Sequence, residues 1–137
     1  MTDGLAVKHA RGTFDVLITP VQPAEGTAAD APGRMLLAKT FHGDLIGTAV
    51  GEMLGAMGPD RSGAYVALDR VHGVIDGREG AFTLVHRGLM DRGAQELLIT
   101  IVPGSGADGL AGIAGVFHLT IANGVHHYDL EYSLPTS

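Results

Sequence analysis

Short segments in which apolar and polar residues alternate recur along this chain, and this pattern constrains the fold more than any other feature. In residues 11–19, Phe14, Val16 and Ile18 share one face of the alternation. A period of two residues is that of a half-buried β-strand. Only residues 89–96 form a glycine-poor segment that could become a short helix. The sequence therefore predicts an all-β protein with little or no helix.

The clearest of these segments runs from Phe41 to Leu54. Gly43 and Asp44 form a turn between two alternating stretches, which predicts a β-hairpin. Three residues on one side of the second strand are small enough for close approach of a neighbouring strand: Gly47, Ala49 and Gly51. The other side is mostly apolar and carries Glu52. The pattern leaves open which of the two sides faces the protein interior.

The whole chain divides into eight or nine such strands, separated by turns that account for many of its 21 glycines. The predicted strands cover residues 11–19, 34–42, 44–54, 64–71, 71–75, 81–90, 96–102, 110–122 and 125–134. Residues 96–102 are apolar almost throughout, so we expect both faces of that strand to be covered. Residues 20–33 contain three prolines and form a flexible surface loop. Without helices, the strands must bury their apolar faces against one another, as in a small closed antiparallel barrel or a sandwich.

Composition narrows the possible partners and compartments. The 137 residues suffice for one domain spanning 1–137, and the net charge of −6 without a basic cluster argues against nucleic acid. No apolar run approaches a membrane span, and residues 1–5 lack a signal-peptide pattern, so we expect a soluble cytoplasmic protein without a membrane partner. Cysteine is absent, which excludes disulfides and thiolate metal sites. Edge strands and an apolar composition make a homodimer plausible.

Several short motifs follow one another along nearly the whole chain: Gly12-Thr13-Phe14-Asp15-Val16, Phe41-His42-Gly43-Asp44-Leu45-Ile46-Gly47-Thr48, Gly51-Glu52-Met53-Leu54, Tyr65-Val66-Ala67, Asp76-Gly77-Arg78, Leu84-Val85-His86-Arg87-Gly88 and Val102-Pro103-Gly104-Ser105-Gly106. Together they resemble the DUF3224 family of small bacterial proteins of undefined function. Ile46 departs from that family's pattern, in which an acidic residue is common.

The resemblance implies a barrel of the allene-oxide-cyclase-like or calycin-like kind. Proteins of that group bind a hydrophobic small molecule inside the barrel, and those that are enzymes direct a cyclisation or an isomerisation. The family itself supplies neither a reaction nor a catalytic set, so no residue role is transferred from it.

Three residues are candidates for catalysis: Glu52, His86 and Tyr128. Glu52 is a general base if it points into the barrel, or an exterior glutamate paired with an arginine if it does not. His86 shares a face with Phe82 and Leu84, so it is either an inward proton shuttle or a hydrogen-bonded core histidine. Tyr128 lies on the inward face of the last strand and either donates to a ligand or packs with its hydroxyl already bonded.

Four further residues are candidates for ligand binding: Tyr65, Asp69, Phe82 and Tyr132. Tyr65 and Asp69 lie four apart on one strand face, about 13 Å by strand rise, and can line one cavity without touching. The seven histidines include no pair with metal-ligand spacing on one face, so no metal site is predicted. No cofactor is indicated either.

Three functional hypotheses remain open from the sequence. The first is a barrel that binds a small hydrophobic molecule and acts as a cofactor-independent isomerase or cyclase. The second is a non-catalytic, lipocalin-like binder, and the third is a structural or oligomerisation module whose interior is filled by its own side chains. A well-formed internal cavity of roughly 300 Å³ or more supports ligand binding, whereas a packed interior supports the third hypothesis.

Overall fold

The computed structural model describes residues 6–135, which form nine β-strands and no helix. The strands are β1 (Lys8–Pro20), β2 (Gly33–Gly43), β3 (Leu45–Met57), β4 (Gly63–Ile75), β5 (Arg78–Asp91), β6 (Ala94–Ile101), β7 (Ala107–Asp108), β8 (Ala114–Ala122) and β9 (Val125–Ser133). Across 6–135 there is accordingly no helix long and apolar enough to cross a membrane. Residues 1–5, for which the sequence shows no signal-peptide pattern, lie outside the described residues.

Eight of these strands close into an antiparallel barrel. Each strand from β1 to β5 pairs with the next one, β6 pairs with β8, β8 with β9, and β9 returns to β1. The two-residue strand β7 lies outside the barrel and pairs with β5. The barrel predicted from the alternation is thereby confirmed. The two predicted pieces 64–71 and 71–75 form the single strand β4.

The prediction of a possible short helix at 89–96 is wrong, because a tight turn interrupts this segment. Arg92 and Gly93 both have positive φ angles, 50° and 87°, and join β5 to β6 as neighbouring antiparallel strands. Two consecutive residues with positive φ match the right-handed twist of a hairpin and cannot continue a right-handed helix.

The interior is filled by aromatic and aliphatic side chains in one half of the barrel. The rings of Phe14, Phe41, Phe117 and Tyr128 lie within about 6 Å of one another, in tilted, stacked and edge-to-face pairs. The connection from β6 to β8 then folds over that end of the barrel and buries Leu110 and Ile113. That end is therefore closed by the chain itself.

The side of β3 that carries the small residues faces the interior. A Cβ atom at Gly47 would lie 2.6 Å from Gly73 Cα and closer still to the carbonyl oxygen of His72. The strands β3 and β4 thus approach too closely for a side chain at this position. The structure thus answers which side of this strand faces the interior. Glu52, on the opposite side, points to solvent.

The expectation that residues 96–102 are covered on both faces is wrong. Ile99 and Ile101 are buried, but Leu97 and Leu98 are exposed. A closed barrel has only one interior, so each strand can bury only alternate residues unless another layer covers the outside.

The Gly47→Ala variant tests the close approach of β3 and β4. We expect it to lower the free energy of unfolding by on the order of 3 kcal/mol, because the atoms that the new methyl group meets belong to backbone that cannot move aside. Urea denaturation followed by circular dichroism measures the change. Gly33→Ala is the matched control, since no atom lies within 4 Å of its Cβ position. Equal stabilities of the two variants would contradict this packing.

Candidate functional site

Three ionisable side chains meet inside the barrel: Lys39 from β2, Asp69 from β4 and His86 from β5. All three are buried. Lys39 Nζ donates to Asp69 Oδ2 at 2.6 Å, and His86 Nε2 lies 2.7 Å from the same oxygen. The two nitrogens are 3.5 Å apart. One carboxylate oxygen therefore holds both the lysine and the histidine.

Gly51 allows these strands to bring the three groups together. Lys39 and Asp69 lie on β2 and β4, which are separated by β3, and Gly51 of β3 pairs directly with Asp69. A Cβ atom at Gly51 would collide with Asp69 Oδ1 and with the Leu68 carbonyl oxygen. The missing side chain leaves the space in which the lysine reaches past β3 to the carboxylate.

The charge of Asp69 is stabilised by its two partners. Burial by itself would raise the pKa of the Asp69 carboxyl, but the hydrogen bond from His86, the positive charge of Lys39 and its hydrogen bond together lower that pKa below its ordinary value. Because an ionised carboxylate only accepts hydrogen bonds, His86 Nε2 carries the hydrogen between them. Asp69 is therefore a carboxylate at neutral pH, and the imidazole is fixed with Nε2–H toward it.

Some atoms of the three side chains do not take part in these hydrogen bonds. Asp69 Oδ1 is buried without a hydrogen-bond partner, and within residues 6–135 no other buried side-chain nitrogen or oxygen lacks one. The hydrogen bonds of the His86 side chain within residues 6–135 all use Nε2, and His86 lines the adjacent cavity. Lys39 also lies 5.4 Å from the centre of the Phe14 ring.

A cavity of about 120 Å³ lies directly above this cluster and opens at the end of the barrel opposite the closed one. Lys39 and His86 form its polar floor. The remaining lining residues are mostly apolar: Phe14, Val16, Ile18, Leu37, Met53, Tyr65, Ala67, Ile99, Phe117, Leu119 and His126. The volume is below the roughly 300 Å³ that a typical ligand pocket requires. The interior is thus neither completely packed nor large.

Tyr65 adds a hydroxyl group to the cavity wall. Its ring lies across Gly88 of β5, where even a Cβ atom would collide with it. Burial and the negative charge of Asp69 raise the pKa of the Tyr65 phenol. The hydroxyl therefore stays protonated well above neutral pH and is suited to donate a hydrogen bond.

Two of the three predicted catalytic residues lie away from this cavity. Glu52 is half exposed on the outer surface and accepts a hydrogen bond from Arg34 at 2.9 Å, as in the exterior ion pair considered above. Tyr128 is buried, but its hydroxyl donates to the His42 carbonyl oxygen at 2.8 Å and accepts from the Leu45 N–H at 3.0 Å. Its hydroxyl thus connects β9 to the β2–β3 turn.

The four predicted ligand-binding residues separate into two pairs. Tyr65 lines the cavity and Asp69 lies just beneath it, held by two cavity-lining groups. Phe82 is fully buried in the packed core, and Tyr132 is buried near the closed end. Burial raises the pKa of the Tyr132 phenol. Neither Phe82 nor Tyr132 reaches the open cavity.

Lys39 is the residue that the sequence analysis missed. Its signal was present in residues 34–42, where Leu37, Lys39 and Phe41 alternate on the face that becomes interior. A lysine between two large apolar residues of one strand face indicates a buried charge that needs a partner.

Within residues 6–135, no three histidine, aspartate or glutamate side chains are arranged to hold a metal ion.

Comparison with known proteins supports the fold and the family. The model of the DUF3224 family, whose description is "protein of unknown function", matches residues 10–132. A crystal structure of a protein of unknown function from the DUF3224 family of Shewanella oneidensis MR-1 is similar, with a TM-score of 0.87 and 37% sequence identity. The similarity covers 96% of this chain and 100% of that one. No curated protein matches this chain.

The buried carboxylate predicts a specific dependence of stability on pH. We expect Asp69→Asn to lower the free energy of unfolding by about 3–5 kcal/mol at pH 7, because Lys39 is left buried without its counter-charge. The pKa of Asp69 is lower in the folded protein than in the unfolded chain, where it is about 3.9. The wild type therefore loses this stability as the pH falls below about 4 through the folded pKa, and the difference between the two proteins shrinks.

Denaturant titrations of both proteins from pH 7 to pH 2 measure this difference. Asp15→Asn is the control, because Asp15 is exposed and pairs only with His42 on the surface. A difference between wild type and Asp69→Asn that stays constant over the whole pH range would contradict an ionised Asp69.

Proposed function

Because this chain belongs to the DUF3224 family, which has no assigned reaction, we propose a function from its geometry: the barrel binds the oxygen-bearing end of a small apolar molecule and transfers protons on it as a cofactor-independent isomerase or cyclase. One observation carries this proposal. Lys39 and His86 are held by a single buried carboxylate at the floor of an open, largely apolar cavity. Such paired and oriented groups are typical of sites for acid–base chemistry.

The donors at the cavity select the ligand class. An ammonium group has three N–H donors and no lone pair, and Lys39 uses one donor on Asp69. The Tyr65 hydroxyl is a further donor on the wall. Both suit a carbonyl or carboxylate oxygen, and the paired ammonium is better suited to hold an oxyanion than to attack as a nucleophile. The ligand we propose is a small ketone, aldehyde or acid with an apolar remainder.

His86 is the general base of the proposed reaction. With Nε2–H directed to Asp69, a neutral ring presents the lone pair of Nδ1 to the cavity. Nδ1 takes a proton from the carbon next to the carbonyl group, and the electrons of that C–H bond form a C=C bond while the carbonyl oxygen becomes an enolate oxygen. Lys39 stabilises this negative charge. If the ligand carries a C=C bond one carbon further on, the enolate is a dienolate. Return of the proton to its γ-carbon then restores the carbonyl group and moves the C=C bond next to it, which completes an isomerisation without any cofactor.

The small volume of the cavity limits the part of the ligand that enters. About 120 Å³ corresponds to roughly four water molecules. We therefore propose that only the reacting end is enclosed and that the apolar remainder extends through the mouth past Ile18. The same small volume favours a second candidate, a structural barrel in which the three ionisable groups only satisfy one another.

Exchange of α-protons in D₂O tests the proposed chemistry without knowledge of the natural substrate. With 2-butanone as the probe, we expect the protein to accelerate incorporation of deuterium next to the carbonyl group, as measured by NMR. His86→Ala and Lys39→Met each lower this rate by about 100-fold or more. Glu52→Gln is the matched control and leaves the rate unchanged, because Glu52 lies on the outer surface. Binding of the probe without exchange would instead support a non-catalytic binder.

A fully apolar replacement of the cluster separates function from structure. We expect the combined variant Lys39→Met, Asp69→Val, His86→Leu to be as stable as the wild type or about 1–4 kcal/mol more stable, because buried ion pairs cost much desolvation energy. Thermal and urea unfolding measure this change. A large loss of stability in this variant would favour the structural candidate, since the cluster would then be required for folding.

A further inference from the structure

The outer surface of the barrel carries a continuous apolar area that the interior site does not use. Six large aliphatic side chains on β2, β3, β4 and β6 point to solvent with exposed fractions of 43–64%: Leu36, Val50, Leu54, Val66, Leu68 and Leu98. We refer to these six residues as the outer apolar face. Monomeric proteins rarely expose continuous apolar areas of more than a few hundred Å², and larger ones mark interaction sites.

The strand register makes this face continuous. Leu54 lies directly opposite Val66 across β3 and β4, and Leu68 lies opposite the half-buried Val85 of β5. Leu36 and Leu68 flank Glu52 on its two sides. Strands about 4.8 Å apart give the five-strand surface a width of about 20 Å. Residues in such direct cross-strand positions are in contact, so the members on β2, β3 and β4 act as one unit. Leu98 lies at its border, because Arg87 of β5 is placed between Val66 and Leu98.

Most charges at this face occur in ion pairs: Arg87, between Val66 and Leu98, lies 3.7 Å from Glu96, while Arg70 opposite Val50 donates to the Ser105 carbonyl oxygen. Arg34 and Glu52 form an ion pair at 2.9 Å, and they border a groove of about 470 Å³ whose floor includes Leu54, Val66 and Leu68. Each copy thus presents one positive and one negative group beside the groove, whereas the whole chain has a net charge of −6. Two copies can therefore approach through this face with less electrostatic repulsion than through a surface that carries the excess negative charge of the chain.

We propose that a second copy of this chain packs on the outer apolar face about a twofold axis. An isologous interface needs a surface that is complementary to itself, and a groove bordered by one positive and one negative side chain meets that requirement. Arg34 of one copy then faces Glu52 of the other. The apolar residues form the buried centre, and the charged residues form the polar rim of an interface of about 800 Å² per partner.

This contact differs from the edge pairing expected from the sequence. Seven of the eight barrel junctions are paired over seven or more positions, and only β6 and β8 meet at a single one, Thr100 with Val116. Copies that use the outer apolar face meet face to face instead. The excess of negative charge also argues against an anionic membrane as the occupant of the face. The proposal does not depend on the chemistry proposed for the barrel interior.

Sedimentation equilibrium of the full chain tests the proposal. We expect the wild type to sediment at about 28 kDa, twice its monomer mass of 14.2 kDa, at micromolar concentration. Leu68→Glu and Val50→Asp shift the mass to that of the monomer. Both side chains are already exposed, so circular dichroism stays that of the wild type. Ile121→Glu, an equally exposed position on β8, is the control and remains dimeric.

Charge reversal identifies the contacting face. Arg34→Glu and Glu52→Arg are each expected to be monomeric alone, and an equimolar mixture forms the heterodimer, because each Glu then meets an Arg of the other copy. A monomeric wild type overturns the proposal, including the case in which the monomer captures a peptide of another protein. A dimer that survives both Leu68→Glu and Val50→Asp, or a charge-reversed mixture that stays monomeric, also overturns it.

Discussion

The limited interior of a closed eight-stranded barrel determines most of this structure. Such a barrel is just wide enough to be filled by side chains, so every inward residue competes for space with the others. Phe41 and Phe82 fill the closed half, and Phe117 lies between it and the open cavity. Strand β3 compensates with Gly47 and Gly51, which contribute no side chain to the interior. The limited interior volume therefore determines both where the large aromatic rings lie and where glycines are required.

The same constraint explains how a carboxylate is accommodated in the interior. Asp69 occupies the space that Gly51 leaves free, and two donors from different strands converge on one of its oxygens. Removal of a carboxylate from water is unfavourable by several kcal/mol, and although the two partners outweigh this penalty at Asp69, Lys39 is desolvated as well and Oδ1 has no partner. An apolar side chain at this position would give a more stable barrel than the buried carboxylate. The cluster is therefore more readily explained by a role in binding or chemistry.

The sequence predicted the fold well because the alternation of residues directly encodes which side of a strand is buried. Phe14, His86 and Tyr128 all lie on the inward faces that the alternation indicated. The prediction had no basis for choosing a side of β3, because one side is small and the other apolar. Its functional candidate on that strand, Glu52, depended on this choice and lies outside. The alternation in residues 34–42 indicates that Lys39 points inward, but its pairing with Asp69, 30 residues away, lies beyond any local pattern.

Strand β4 connects the two surfaces for which we propose functions. Leu68 points outward to the apolar face, and its neighbours Ala67 and Asp69 point inward to the cavity region. Because successive residues of a strand lie on opposite sides, a contact at Leu68 restrains the backbone that positions Asp69. A catalytic group must be held to within about 0.5 Å, and where β4 separates a cavity from solvent its side chains have packing partners on neither face. Pairing of two copies through the outer face would supply that second layer where the interior is least filled.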